Sequence, residues 1–101
     1  MPLELYVRAS FNRSVRKLGA EQREVVAQIL ETLKIYYASG CNLQEAQRKS
    51  PRFFYKQLRK PYYEAGVESN LRVIIAREKQ ICTALLAGNH DQIRRFLAGV
   101  S

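Results

Sequence analysis

Apolar and polar positions along the chain change period several times, and each change marks an element. Leu3-Glu4-Leu5-Tyr6-Val7-Arg8 alternates with period two, as a half-buried strand does. Ser10 is placed to cap a short helix over residues 11–18, with Phe11, Val15 and Leu18 on one face and Arg13, Arg16 and Lys17 elsewhere. Gly19 ends it. Val25, Val26, Ile29, Leu33 and Tyr36 or Tyr37 then recur at helical spacing, predicting a long helix over 20–38 closed by Gly40. Glu21 and Glu24 suit its N-terminal turn electrostatically. Residues 41–52 read as a polar connector that admits one turn of helix.

The remainder reads as strands. Residues 53–59 are rich in aromatics, and Pro61 belongs at a strand start or edge because it cannot donate to a ladder. Residues 62–67 are a second candidate, with Glu68-Ser69-Asn70 as turn residues. Residues 71–76 (LRVIIA) are β-branched and apolar on nearly both faces, which predicts a central strand. Glu78-Lys79 turns the chain again, residues 80–87 form a further strand, and Gly88 breaks it. Asn89 can cap a last helix over 91–97 with Ile93, Phe96 and Leu97 inward. The expected class is α+β: an N-terminal strand, a helical hairpin on one face of a mainly antiparallel meander of three to four strands, and a short C-terminal helix.

Length changes this picture little. The 101 residues suit one domain spanning 1–101, and such a chain buries about two-thirds of its unfolded surface without a metal or disulfide. Cys41 and Cys82 lie far apart with no C-x-x-C, so two reduced thiols are expected and no metal or cofactor site. No apolar run nears the roughly 18 residues of a membrane helix, and the N-terminus lacks a signal peptide's pattern, so a cytoplasmic protein is expected.

Charge changes it more. Seventeen Lys and Arg face nine Asp and Glu, a net +8, which favours a polyanionic partner. Arg48, Lys49, Arg52, Lys56, Arg59 and Lys60 run without an acid, beside Phe53, Phe54, Tyr55, Tyr62 and Tyr63. Cations interleaved with aromatics suit phosphate contact and base stacking. The same pattern also describes an ordinary strand with aromatics in the core and cations in water.

Across about residues 3–97 the chain resembles the RelE/ParE toxin superfamily. The resemblance rests on YYEAGVESNLRVIIA, a following strand, GNHDQIRRFL, and Phe11-x-x-x-Val15-Arg16-Lys17-Leu18 ahead of a long helix. It implies a bacterial type II toxin held inactive by a cognate antitoxin. The RelE-like branch cuts mRNA in the ribosomal A site without metal; the ParE-like branch instead inhibits DNA gyrase by protein contact. The expected function is a metal-free, ribosome-associated mRNA endoribonuclease that inhibits translation. The alternatives are a gyrase inhibitor or a non-toxic member that only binds its antitoxin.

Metal-free RNA cleavage needs a base for the 2′-hydroxyl, a cation for the phosphorane and an acid for the leaving 5′-oxygen. Arg72 lies within LRVII, where a charge is costly unless paired or facing an opening. The resemblance places a functional arginine there. A salt bridge to Glu64 or Glu68 is its alternative role, and the two can coexist. His90, the only histidine, follows Gly88-Asn89 where the family often places a histidine or basic residue, and imidazole suits acid–base work. Packing against the last helix or pairing with Asp91 is the alternative for it.

The chain departs from the family where ribosome-dependent members carry lysines: those positions hold Glu64 and Gly66. Glu64 is therefore the candidate base, if it shares a face with Arg72. A three-residue loop, 68–70, pairs Gly66 with Arg72 and Glu64 with Ile74 and gives that face; a two-residue loop, Ser69-Asn70, turns Glu64 away. Phe96 stands where relatives often have a tyrosine and can stack but not transfer a proton. Arg52, Lys56, Arg59, Lys60, Arg77, Arg94 and Arg95 are the expected RNA-binding residues, at most one of Arg94 and Arg95 facing the site. Arg72→Ala is expected to abolish toxicity with the fold intact.

Overall fold

A computed structural model describes residues 3–99; residues 1, 2, 100 and 101 of the expected 1–101 domain lie outside the described residues. The elements are β1 (Glu4–Val7), α1 (Ala9–Arg16), α2 (Ala20–Ala38), α3 (Leu43–Lys49), β2 (Phe54–Gln57), β3 (Tyr62–Gly66), β4 (Arg72–Glu78), β5 (Ile81–Gly88) and α4 (His90–Ala98). The five strands form one sheet in the order β1-β5-β4-β3-β2. Strands β2 to β5 are an antiparallel meander, and β1 pairs with β5 in parallel. β4 is the middle strand, which explains its apolar run: Val73, Ile74 and Ile75 are all fully buried.

The sheet has two apolar faces. Val73, Ile75, Ala84 and Ala87 turn toward α1 and α2, where Phe11, Val26, Ile29 and Leu33 close the main core. Ile74 and Leu85 turn the other way, onto Ile93 of α4, with Leu86, Phe96 and Tyr62 around them. A β-bulge keeps both faces supplied. Ile74 pairs with Leu86 but Ile75 pairs with Ala84, so Leu85 is an extra residue on β5. Both leucines therefore serve the α4 face, while Ala84 and Ala87 serve the helical one.

That bulge also explains a correction. Ser10 does not cap α1, whose N-cap is Arg8 with no side-chain bond. Its hydroxyl instead donates to the Leu85 carbonyl at 2.9 Å, a group the bulge takes out of the ladder. Ser14 adds a second stitch, accepting from the Ala87 N–H at 3.0 Å. The polar connector also holds more structure than one turn. Asn42 accepts from the Glu45 N–H at 3.2 Å and starts α3, whose Ala46 is fully buried. Gln28, Thr32 and Ser50 close a polar network beneath it, with Thr32 and Ser50 oxygens 2.8 Å apart.

On the helical side, Tyr36, Tyr37, Phe53, Tyr55 and Tyr63 form an aromatic cluster. The Tyr37 and Tyr55 hydroxyls are 3.0 Å apart. Burial pushes the Tyr37 phenol well above its usual range, reinforced by its neighbour Tyr55. Burial likewise pushes Tyr55 up to about 12. Among the described residues no helix is long and apolar enough to cross a membrane.

Candidate functional site

The β3–β4 pairing decides whether the candidate residues can meet. Glu64 pairs with Ile74 and Ala65 with Val73, so the chain turns through the three-residue loop 68–70. Glu68 fixes that loop locally, its carboxylate accepting from the Leu71 N–H at 3.1 Å. It is thus engaged with the turn, and Glu64 is the partner of Arg72. With this register Glu64 and Arg72 share the face of the sheet that carries α4.

Arg72 Nη1 donates to Glu64 Oε1 at 2.8 Å. The same nitrogen lies 3.4 Å from His90 Nδ1. A guanidinium only donates, so this contact is a hydrogen bond in the ring tautomer with its proton on Nε2. Nη2 reaches the Ser69 carbonyl at 3.5 Å, and Cζ lies 5.4 Å from the centre of the Phe54 ring. Arg72 Nε is shielded and has no hydrogen-bond partner among the described residues. Lys56 on β2 brings Nζ to 4.0 Å from Glu64 Oε1. Glu64 is therefore a buried carboxylate, its side chain 3% exposed, facing one cation closely and a second at longer range.

Two glycines make this arrangement possible. Phe54 pairs with Gly66 and Arg72 with Gly88. Extending the β3–β4 register by one step sets Gly66 opposite Arg72, so the row across the sheet reads Phe54, Gly66, Arg72, Gly88. A Cβ on Gly66 would lie 2.7 Å from Phe54 Cε1 and 3.2 Å from the Leu71 carbonyl oxygen. A Cβ on Gly88 would lie 2.6 Å from Gln92 Oε1. The arginine thus occupies a row whose neighbours give up their side chains, one slot covered by Phe54 and the other by Gln92. Gln92 belongs to the cap of α4: Asn89 Oδ1 accepts from the Gln92 N–H at 2.9 Å, and Gln92 Oε1 accepts from the Asn89 N–H at 2.8 Å. His90 is the first residue of that helix, so the cap fixes its position.

The remaining expected residues divide. Lys56 joins the site face. Arg94, one helical turn after His90, lies on the same stripe of α4 and is exposed. Arg95 is also exposed, and Phe96 packs edge-on against Tyr62 at 5.4 Å, inside the smaller core. Arg59 donates to the Leu97 carbonyl at 2.7 Å, tying the β2–β3 connection to the end of α4. Arg52 and Lys60 are exposed outside the strands. Arg77 alternates onto the opposite face, with Cζ 5.8 Å from the Tyr63 ring centre and Nη1 3.9 Å from Cys41 Sγ. The structure does not bring it to Arg72. Phe54, Gly66, Gly88 and Ser69 complete the site without being legible as site residues in the sequence; an interior strand glycine in a cationic, aromatic segment is the signal that points to them.

The fold is that of known toxins. The RelB-RelE antitoxin–toxin complex of Methanococcus jannaschii contains a chain superposing with a TM-score of 0.63 at 13% identity, over 90% of this chain and 96% of that one. A chain of the E. coli DinJ-YafQ toxin–antitoxin complex superposes with a TM-score of 0.62 at 14% identity, covering 92% and 98%. A copper-bound mutant toxin from Helicobacter pylori gives 0.58 at 17% identity, covering 90% and 98%. No family model and no curated sequence matches the chain. The expected RelE-like α+β architecture is thus the observed one.

Proposed function

We propose that this chain is the toxin of a type II toxin–antitoxin pair and that it cleaves mRNA on the ribosome. One observation carries the reading: a single guanidinium nitrogen is shared between a buried carboxylate and an exposed imidazole, on a strongly basic molecule. The neighbouring RelE and YafQ folds supply the context.

The chemistry follows from who can reach substrate. Glu64 is sealed beneath Arg72, so it positions the guanidinium and keeps its charge in place rather than touching RNA. A planar cation presents several donors to one phosphate. When a scissile phosphate takes the Nη1–H that His90 accepts at rest, the Nδ1 lone pair is released beside that phosphate. There it receives the 2′-hydroxyl proton as the 2′-oxygen attacks phosphorus. Arg72, with Lys56 behind it, offsets the charge growing on the phosphorane. The bond to the 5′-oxygen breaks, that oxygen takes a proton from the imidazolium or from water, and a 2′,3′-cyclic phosphate remains. Lys56 on β2 thus stands in for the lysine character missing from β3. Arg52, Lys60 and Arg94 are exposed cations for backbone phosphates, and binding through them weakens steeply with salt.

An antitoxin partner fits two surface features. Tyr6, Val7 and Ile81 are 51%, 47% and 48% exposed on the edge strand β1 and the adjoining start of β5. An acidic segment crossing this apolar edge would also meet the net positive charge.

The test is primer extension on mRNA translated in the presence of the purified protein, comparing the native chain with Arg72→Lys and His90→Ala. Cut transcripts with the native chain, about a hundredfold fewer with His90→Ala at saturating ribosomes, support the reading. Intact transcripts with a DNA-damage response on expression favour gyrase, and unaffected growth identifies a non-toxic member.

A further inference from the structure

Beside His90 the molecule has a hollow of about 430 Å³ between the 68–70 loop, the start of α2 and the start of α4. That volume lies within the roughly 300–1,000 Å³ of small-ligand sites. Its apolar surface comes from Leu18 and Leu71. Its polar lining includes Gln22, Asn70, Asn89, Asp91 and Gln92. Ser69, whose carbonyl receives Arg72 Nη2, is on its rim, so the hollow adjoins the guanidinium as well as the imidazole.

The lining has an unexpected charge. The chain carries 17 Lys and Arg, yet none of them lines this hollow, whose one acidic residue is Asp91. Such a lining offers no cation to a phosphate. It instead offers donors and acceptors side by side, plus an apolar contact at Leu18, as a nucleobase edge and face require. Among the described residues no hydrogen bond or ion pair engages the Asp91 carboxylate. Two carboxylate oxygens match two adjacent N–H donors, and guanine alone among the RNA bases presents such a pair, N1–H and the N2 amino group.

We propose that this hollow is a guanine subsite, holding the base of the nucleotide whose 2′-hydroxyl meets His90, with Asp91 accepting from N1–H and N2–H. The subsite deepens the RNA-cleavage reading and rests on it. Asn70 and Asn89 face the remaining base edge, and Leu18 contacts its plane.

The test uses dinucleotides that cannot be cut. The 2′-deoxy probes dGpdA, dCpdA, dApdA and dTpdA are titrated into the full chain while the side-chain amide signals of Gln22, Asn70 and Asn89 are followed by NMR. Selective shifts with dGpdA are expected, with about tenfold tighter binding than for the other three, as a bidentate base contact provides. Asp91→Asn keeps the shape and should erase that preference; Asn70→Ala should weaken it without erasing it. Equal binding of all four probes, no shift at these amides, or an unchanged preference in Asp91→Asn overturns the subsite. Cut-site mapping on mRNA separates the two ideas. Guanine-selective binding with uncut RNA leaves the subsite standing and removes the nuclease, whereas cutting indifferent to guanine removes the subsite alone.

Discussion

Glu64 carries its charge in a side chain only 3% exposed, and Arg72 supplies its one short ion pair. That dependence corrects the expectation that Arg72→Ala would silence the protein with its fold untouched. Removing one partner of a buried pair costs about 3–5 kcal/mol, because the other charge stays behind in a poorly solvating site. Arg72→Ala should therefore lower the urea midpoint markedly as well as stop cleavage. The double variant Glu64→Gln/Arg72→Ala, which leaves no buried charge, should regain most of the stability and none of the cleavage. If the double variant is no more stable than Arg72→Ala, the pair is not what holds this corner of the sheet. The sequence already exposes the essential tension, a charge inside LRVII, and the two loop lengths reduce the question to one of register. Nothing in it chooses between them, because both loops satisfy the turn chemistry of Glu68-Ser69-Asn70; the choice is made by how β4 packs on both faces at once.

Strands β2, β3, β4 and β5 meet at the row Phe54, Gly66, Arg72 and Gly88. A methyl at Gly66 would sit 2.7 Å from the Phe54 ring, with backbone on its other side. Gly66→Ala should thus cost about 1–3 kcal/mol, read as a urea midpoint shift. It should also slow cleavage, since the displaced ring is the one beside Arg72. Normal activity in a destabilised Gly66→Ala would show that Phe54 matters to packing alone. Element boundaries are largely legible: α2 spans the predicted 20–38, and the central strand is marked by its double-sided apolar run. α3 is hard to see because LQEAQRK buries only Ala46 and so shows no apolar stripe. Ser10 misleads because a serine before an apolar run looks like a cap, whereas its real partner is a carbonyl 75 positions away.

The two sides of the sheet do different work across the molecule, ions and imidazole on one, interlocked phenols on the other. The phenol side makes stability sensitive to alkaline pH. In the unfolded chain tyrosines lose their protons near pH 10; in the folded chain burial holds Tyr55 up to about 12 and Tyr37 higher than its usual range. The folded state thus binds more protons above pH 10, so stability is complete below that value and falls as pH rises through this window. Urea midpoints from pH 8 to 11 should show the decline, and Tyr55→Phe should flatten it; an unaltered slope would exclude Tyr55 as its source. The α+β class and the RelE-like fold are legible from element order and the three quoted motifs. The parallel return of β1 beside β5 is not, since it depends on contacts between the two ends of the chain. Just past that parallel pairing lies the supernumerary Leu85. It acts as a phase adjuster: with one residue fewer, Gly88 would turn toward the helices and carry the root of α4 with it. The imidazole and the guanidinium would then part company although every residue of the site was still encoded, so their meeting depends on an odd count in a strand that supplies neither group.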